Sequence, residues 1–212
     1  MLFRSRRDPE SAITWGDSTV ALSTEQGFPT WLGVGLAVRA WALAARADPV
    51  GALPLLEQST STFASAGQEL AATWLLGLAS EIHTAAGHST PVIPLLTGAL
   101  ALAEKNSERF YEAELHRLQG EALLVDRPPP VADCASPVAD AEECFRRARA
   151  IARNQQAKSL ELRAATSLAR LWRDQGKRAA ARDLLAPVYA WFTEGFDTRD
   201  LVEAKALLDG LS

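Results

Sequence analysis

Aromatic, acidic and hydroxyl side chains gather near the C-terminal end of the chain, in the stretch WFTEGFDTRDL at 191–201. Such a mixture is typical of a ligand site. It is also the order expected where one helix ends and the next begins, because Gly195 can take the left-handed conformation after a helix and Phe196 can fold back as its apolar contact. Asp197 or Thr198 can then cap the following helix. We therefore predict a connection between two helices here.

The three histidines and two cysteines form no pattern typical of a metal site or a nucleophile. His83, His88 and His116 do not share a helix face at metal-ligand spacing, and Glu112, four residues before His116, predicts an ordinary surface pair. Cys144 falls in the middle of a predicted helix, where a thiol usually packs inertly. We expect no catalytic residue, no metal and no cofactor.

Three arginines recur on one predicted helix, Arg163, Arg170 and Arg173, at spacings of seven and three that place them on one face. Arginine holds a carboxylate through two parallel hydrogen bonds, so this row is suited to gripping an acidic peptide. The other interpretation is a solvated face on which each arginine pairs with a nearby acid. The sequence leaves both open and slightly favours pairing.

Composition excludes several functional classes. The 212 residues are 48% hydrophobic and 23% charged, which is typical of a globular protein with a sizeable core. A net charge of -4 argues against a domain that mainly binds nucleic acid or an anionic membrane. The sequence has few cysteines, no signal-peptide core and no run of about 18 apolar residues, so we expect a cytoplasmic protein.

Apolar residues recur at helical spacing almost from end to end, which predicts an all-α protein of about nine helices. Gly27, Gly67 and Ser107 lie 40 residues apart, and each precedes a long amphipathic segment. Such a period is typical of helical repeats. The next equivalent start, near Ala157, comes 50 residues later, because a proline-rich loop at 126–137 is inserted within the third hairpin.

The packing positions resemble those of tetratricopeptide repeats. Ala141, Phe145 and Ala148 follow the A-x3-F-x2-A spacing of a second repeat helix. A small residue at the crossing lets two helices approach closely, and a large residue then fills the gap beside it. The predicted small residues of the first helices are Ala40, Ser80 and Gly120.

These patterns predict a right-handed α-solenoid of tetratricopeptide-like hairpins. We expect a poorly ordered N-terminal segment over 1–17, the repeat array over 18–193 and a capping helix over 197–212 that shields the 177–193 helix. The hairpins are expected at about 27–66, 67–106, 107–156 and 157–193.

Two segments, 109–124 (RFYEAELHRLQGEALL) and 141–208, are similar to the C-terminal repeat region of bacterial class III adenylate/guanylate cyclases. In those proteins a cyclase domain is followed by a P-loop ATPase domain and then by a tetratricopeptide-like array. The resemblance is dense over about 103–211 and looser over 18–102. It implies regulation or assembly, because neither the cyclase aspartates nor a G-x4-G-K-S/T loop occurs in the sequence.

In such an array the first helix of each hairpin lines the concave face, which defines a set of candidate partner-binding residues. A groove that runs from aromatic through acidic to basic is suited to an extended or helical peptide. Ala37 and Trp41 occupy the places where a chaperone-tail clamp needs Lys and Asn. The candidates are Trp41, Trp74, Glu81, Glu114, Arg117, Glu121, Arg163, Arg170 and Arg173.

The sequence thus predicts a non-catalytic interaction module, regulatory or scaffolding, that binds a protein, a peptide or an adjacent cyclase or ATPase domain. The apolar first hairpin, with Trp31 and Trp41, is a candidate contact for a second copy of the chain or for a preceding domain. The loop at 126–137 is either a contact arm or tolerated surface. The alternative function is a nucleic-acid-associated effector module that uses the basic stripe Arg163, Arg170, Arg173, Lys177 and Arg178.

Overall fold

The computed structural model describes residues 7–67, 71–125 and 137–211. Over these ranges the chain forms ten α-helices, one short 3-10 helix and no strand, which confirms the all-α prediction. The α-helices are α1 Pro9–Gln26, α2 Pro29–Ala45, α3 Pro49–Ser65, α4 Ala72–Ala85, α5 Val92–Asn106, α6 Glu112–Val125, α7 Pro137–Asn154, α8 Lys158–Asp174, α9 Arg178–Tyr189 and α10 Arg199–Gly210. The 3-10 helix, Arg109–Tyr111, leads into α6.

Helix α1 corrects part of the prediction for the N-terminal segment, since residues 9–17 were expected to be poorly ordered. Asp8 begins the helix by accepting a hydrogen bond from the Ser11 backbone amide at 3.1 Å. The buried face of α1 consists of small residues, so apolar periodicity is weak there. Close packing on α2 replaces it, because a Cβ at Gly16 would lie 2.7 Å from Cγ of Arg39. Residues 1–6 lie outside the described residues.

Left-handed residues separate the successive helix pairs. Gly27, Gly67 and Ser107, spaced 40 residues apart in the sequence, have φ angles of 69°, 62° and 56°. Gln156, next to the predicted fourth start, has a φ of 55°. The left-handed conformation ends a helix and turns the chain back, so the period in the sequence corresponds to a repeated turn.

The chain divides into two compact units, unit 1 over residues 1–106 and unit 2 over residues 107–212. In unit 1, α2 packs between α1 and α3, α4 packs on α5, and both α2 and α3 contact α4. In unit 2, α7 packs between α6 and α8, and α9 packs on α8. Helix α8 also contacts α6 and α10, and α9 contacts α10. The proline-rich loop at 126–136, with Cys134, falls outside the described residues.

Small residues face large ones where the helices of a pair cross. A Cβ at Gly120 would lie 2.5 Å from Cε1 of the fully buried Phe145. The first hairpin repeats this arrangement with Gly33 and Phe63, where the corresponding distance is 2.8 Å to Cδ2. Gly120 and Phe145 were predicted from the sequence, whereas in the first hairpin the predicted small residue was Ala40 and not Gly33. Ala40 is also completely buried.

The stretch at 191–201 connects α9 to α10. Gly195 has the predicted left-handed φ of 72°, but α9 already ends at Tyr189, so Gly195 belongs to the turn before α10. The ring of Phe196 lies 5.9 Å from that of Tyr189. Thr198 is the residue before α10, and its hydroxyl donates to the Gly195 carbonyl at 2.6 Å rather than capping the helix.

Helix α10 covers the end of unit 2. Its apolar side packs against both α8 and α9, whereas the prediction named the 177–193 region. The buried residues of this cluster are Leu201, Ala204, Leu207 and Leu211 with Leu162, Ala165 and Ala169 of α8 and Ala181, Leu185 and Val188 of α9.

Candidate protein-interaction face

Arg163 joins three helices of unit 2. Its side chain is only 9% exposed. Its Nε donates to Oδ2 of Asp200 on α10 at 2.7 Å, and its Nη1 donates to Oε1 of Glu114 on α6 at 3.4 Å. Burial disfavours the charged guanidinium, but the Glu114 and Asp200 carboxylates outweigh it and raise the pKa of Arg163 above its ordinary value. We call Glu114, Arg163 and Asp200 the Arg163 bridge.

A second set of bonds continues the network along α6. Arg117 donates to both carboxylate oxygens of Glu114, from Nε at 3.0 Å and from Nη2 at 2.9 Å. It also donates from Nη1 to Oε1 of Glu121 at 3.3 Å. The same Glu121 oxygen accepts a hydrogen bond of 2.6 Å from the Ser167 hydroxyl on α8. These bonds fix the acidic candidates on α6 against α8.

The two remaining arginine candidates are more exposed. Arg170 is 40% exposed and donates from Nη2 to Oε2 of Glu203 on α10 at 2.8 Å. Arg173 is 41% exposed and donates from Nε to its neighbour Asp174 at 2.9 Å. All three arginines are therefore paired with acids, but Arg163 does not lie on the solvated face that the second interpretation of the sequence described. We call the side chains of Glu114, Arg117, Glu121, Arg163, Ser167, Arg170 and Arg173 the charged face.

The pairing also neutralises most of the basic stripe on which the nucleic-acid alternative depends. Arg163, Arg170 and Arg173 each bond to a carboxylate, and Arg178 donates to the Gly210 carbonyl. These carboxylates offset the positive charge of the stripe and so weaken the long-range attraction for a polyanion on which nucleic-acid binding depends. The arrangement gives no support to that alternative.

The candidates in unit 1 occupy a different environment. Trp41 and Trp74 are 6% and 3% exposed, so the structure places both indole rings in the core instead of on an open surface. Nε1 of Trp41 on α2 donates to Oε2 of Glu81 on α4 at 2.9 Å. Trp31, grouped with Trp41 in the sequence analysis, is 60% exposed.

His116 corrects the prediction of a surface pair. It is only 6% exposed, and Nε2 is buried without a hydrogen-bond partner in the described part of the chain. Burial lowers the pKa of His116 to about 4, aided by Arg147 and opposed by a hydrogen bond with Gln119. The sequence missed this burial because a Glu four residues earlier is also what an exposed helix face shows.

Cys144, His83 and His88 are the other candidates for reactive chemistry among the described residues. The thiol of Cys144 donates to Oε1 of Gln119 at 3.7 Å, and burial raises its pKa. The rings of His83 and His88 lie 5.9 Å apart, a proximity that their sequence spacing did not reveal. Among the described residues no group of three or more His, Cys, Asp or Glu is placed to hold a metal ion.

Asp200 and Glu203 are the functional candidates that sequence reasoning missed. The sequence predicts them only as the polar side of a capping helix, whereas both carboxylates bond to arginines on α8. A signal was present in the sequence, because positions 200, 203 and 207 share one helix face and Leu207 belongs to the core. Acids beside the apolar side of a helix indicate a polar contact at the edge of an interface.

No protein-family model matches the sequence, and no curated protein matches it. Solved structures do resemble it. Two crystal structures of a putative kinesin light chain from Podosopora anserina with nearly identical TPR-like repeats, one of them a variant form, each share 19% identity with this chain. Each match covers 89% of this chain and 93% of the other, with TM-scores of 0.58 for the variant form and 0.56 for the other.

These matches show a TPR-like helical-repeat fold, in which TPR denotes the tetratricopeptide repeat. At 19% identity they show the fold alone. No helix in the described ranges is both long and apolar enough to span a membrane.

Proposed function

We propose that this chain is a non-catalytic protein-interaction module whose charged face binds an acidic segment of a partner protein. TPR-like repeats generally mediate protein–protein interaction. The observation that carries the proposal is the pair Arg170 and Arg173, both about two-fifths exposed, beside a network that holds the rest of the face in place.

The network gives the face its geometry. Arg163 and Ser167 on α8 donate to Glu114 and Glu121 on α6, so two side-chain bonds hold these helices together. The bond between Arg173 and Asp174 is exposed, and such pairs contribute little to stability. A partner carboxylate can therefore replace Asp174 at little cost and gain a bidentate contact with the guanidinium.

Charge reversal tests the face. The variant Arg170→Glu/Arg173→Glu should lose the partner in an affinity purification identified by mass spectrometry, while its helical circular dichroism is unchanged. The matched control is Arg147→Glu/Arg182→Glu, which makes the same charge change at exposed positions of α7 and α9. A partner retained by the first variant, or lost equally by both, would contradict the proposal.

The cellular context is proposed on the sequence resemblance of residues 103–211 to the repeat region of bacterial cyclases. We propose that the chain acts in the cytoplasm as a regulatory or scaffolding component beside a cyclase or P-loop ATPase domain. A two-hybrid assay against the cyclase and ATPase domains of the source organism tests this role. Interaction that depends on Arg170 and Arg173 would support it, and no interaction with either domain would contradict it.

A further inference from the structure

Helix α10 meets the charged face with the chemistry proposed for the partner. Asp200 and Glu203, three residues apart, accept hydrogen bonds from Arg163 and Arg170 at 2.7 and 2.8 Å. Between and after these acids, Leu201, Ala204 and Leu207 insert among the apolar side chains of α8 and α9. One short helix thus pairs with the two arginines and also buries the adjoining apolar surface.

The helix is an appended segment whose form depends on the surface that it covers. The stretch between Tyr189 and Arg199 contains no helix, so α10 is joined to α9 by a non-helical connection rather than a continuous one. With 12 residues, α10 is at the lower limit of the length at which an isolated helix is stable in water. Docking therefore supplies its helical state, as it would for a partner peptide.

We propose that α10 is an internal substitute for the partner. The surface made by α8 and α9, with Arg163 and Arg170 at its edge, takes an amphipathic helix that carries two carboxylates three residues apart beside a row of Leu and Ala. A partner helix of this kind gains access by displacing α10. The inference rests on the proposed function in its use of Arg170, but it concerns a different contact and fails separately.

The local charges define which helices fit. Arg163 is enclosed by two carboxylates, one of which stays on α6 when α10 leaves. When α10 leaves, the mostly buried guanidinium of Arg163 keeps Glu114 and loses Asp200. A basic or neutral helix cannot supply the missing carboxylate. The site therefore selects an acidic helix by the cost of leaving Arg163 incompletely paired.

A peptide of residues 198–211 of this chain, labelled with a fluorophore, provides the probe. Fluorescence polarisation should show at least tenfold tighter binding to the full-length variant Asp200→Asn/Glu203→Gln than to the wild type, because the weakened α10 competes less well. The control Lys205→Gln/Asp209→Asn removes an exposed ion pair from the same helix and should bind the peptide as the wild type does. Equal affinity for the variant and the wild type would overturn the proposal.

The peptide itself carries a second control. The same two substitutions, Asp200→Asn and Glu203→Gln, are made in the peptide. The substituted peptide should bind the full-length Asp200→Asn/Glu203→Gln variant at least tenfold more weakly than the unsubstituted peptide does. Equal binding of both peptides would mean that the arginines do not recognise the carboxylates, and it would overturn the proposal.

Hydrogen exchange on the wild type keeps the test valid if the weakened variant does not fold. With the peptide at a concentration that binds, amides of α10 should exchange at least tenfold faster, and those of α6 should not change. Unchanged exchange in α10 would overturn displacement. The affinity purification with Arg170→Glu/Arg173→Glu tests the proposed function independently of this result.

Discussion

The first helices of the two units make contact by different means. In unit 1, the buried residues of α2 and α4 include no charged side chain, and a bond from the Trp41 indole to Glu81 links the two helices. In unit 2, α6 buries Glu114 and His116, α8 buries Glu161, and the Arg163 bridge extends across α6, α8 and α10. The contact between successive first helices is therefore apolar in unit 1 and charged in unit 2.

The two units share one kind of packing contact and differ in another. Both units use a glycine against a phenylalanine where the helices of a pair cross, Gly33 with Phe63 and Gly120 with Phe145. The contacts between successive first helices differ. Ion pairs that replace apolar packing at buried positions are often neutral or unfavourable for stability, because desolvation offsets the attraction. The charged version is thus better explained by recognition, which agrees with the function proposed for unit 2.

The largest expected effect comes from breaking the Arg163 bridge. Arg163→Met should lower the free energy of unfolding of unit 2 by about 3 kcal/mol, because Asp200, which is 12% exposed, would lose its 2.7 Å bond and the buried Glu114 would lose one of its two arginine partners. Denaturant unfolding with hydrogen exchange as the reporter should place the loss in residues 107–211 and leave 7–67 and 71–106 unaffected.

The double variant Arg163→Met/Glu114→Gln distinguishes two causes of the stability loss, the buried charge of Glu114 and the lost packing of the Arg163 side chain. Replacing the carboxylate should recover part of the stability, because the neutral amide introduced on α6 would carry no charge to desolvate. A loss below about 1 kcal/mol in the single variant would show that the bridge is solvated, and the contrast between the units would then be smaller than the structure indicates.

A pH titration gives the next largest effect. The pKa of His116 falls from 6.5 to about 4 in the folded protein, so between these values the unfolded chain binds a proton that the folded chain does not. The free energy of unfolding should therefore decrease as the pH is lowered through this window, by up to about 3 kcal/mol at its acid end. Denaturant unfolding at pH 7, 6, 5 and 4 measures the decrease.

The variant His116→Leu assigns this pH dependence to unit 2. It removes the titrating group from a buried position and should flatten the decrease within 107–211. Unit 1 contains His83, whose pKa burial also lowers, but its side chain is only partly buried. A slope that persists in His116→Leu would assign the effect to other groups.

Much of the fold follows from local chemistry that the sequence displays. The 40-residue spacing of Gly27, Gly67 and Ser107 marks residues that take the left-handed conformation, and this requirement depends on the turn alone. Phe145 and Gly120 were identifiable because their spacing follows a known packing rule. Helix α1 was missed because its buried side is made of Ala, Gly and Ser, which carry almost no hydrophobic signal.

The candidate site was less predictable because it depends on which helices become neighbours. The spacing of Arg163, Arg170 and Arg173 predicts one helix face, but the exposure of Arg163 and Arg170 depends on α10, whose acids they contact. Asp200 lies 37 residues from Arg163, and no local rule links the two. Trp41 illustrates the same limit, because burial of an aromatic residue depends on the packing of α4 against α2.

The smallest expected effect concerns the bond that links α2 and α4 in unit 1. Trp41→Phe keeps most of the buried ring but removes the indole N–H that donates to Glu81 at 2.9 Å, so the free energy of unfolding of unit 1 should fall by about 1–2 kcal/mol. Trp15→Phe is the control, since Trp15 is 59% exposed and its replacement should change stability by less than about 0.5 kcal/mol. The loss is expected to be smaller than that of Arg163→Met because Glu81 is only partly buried and water can replace the lost donor. Equal losses in Trp41→Phe and Arg163→Met would show that the Trp41–Glu81 bond stabilises unit 1 as much as the Arg163 bridge stabilises unit 2. The contrast between an apolar and a charged contact would then no longer explain why recognition is assigned to unit 2.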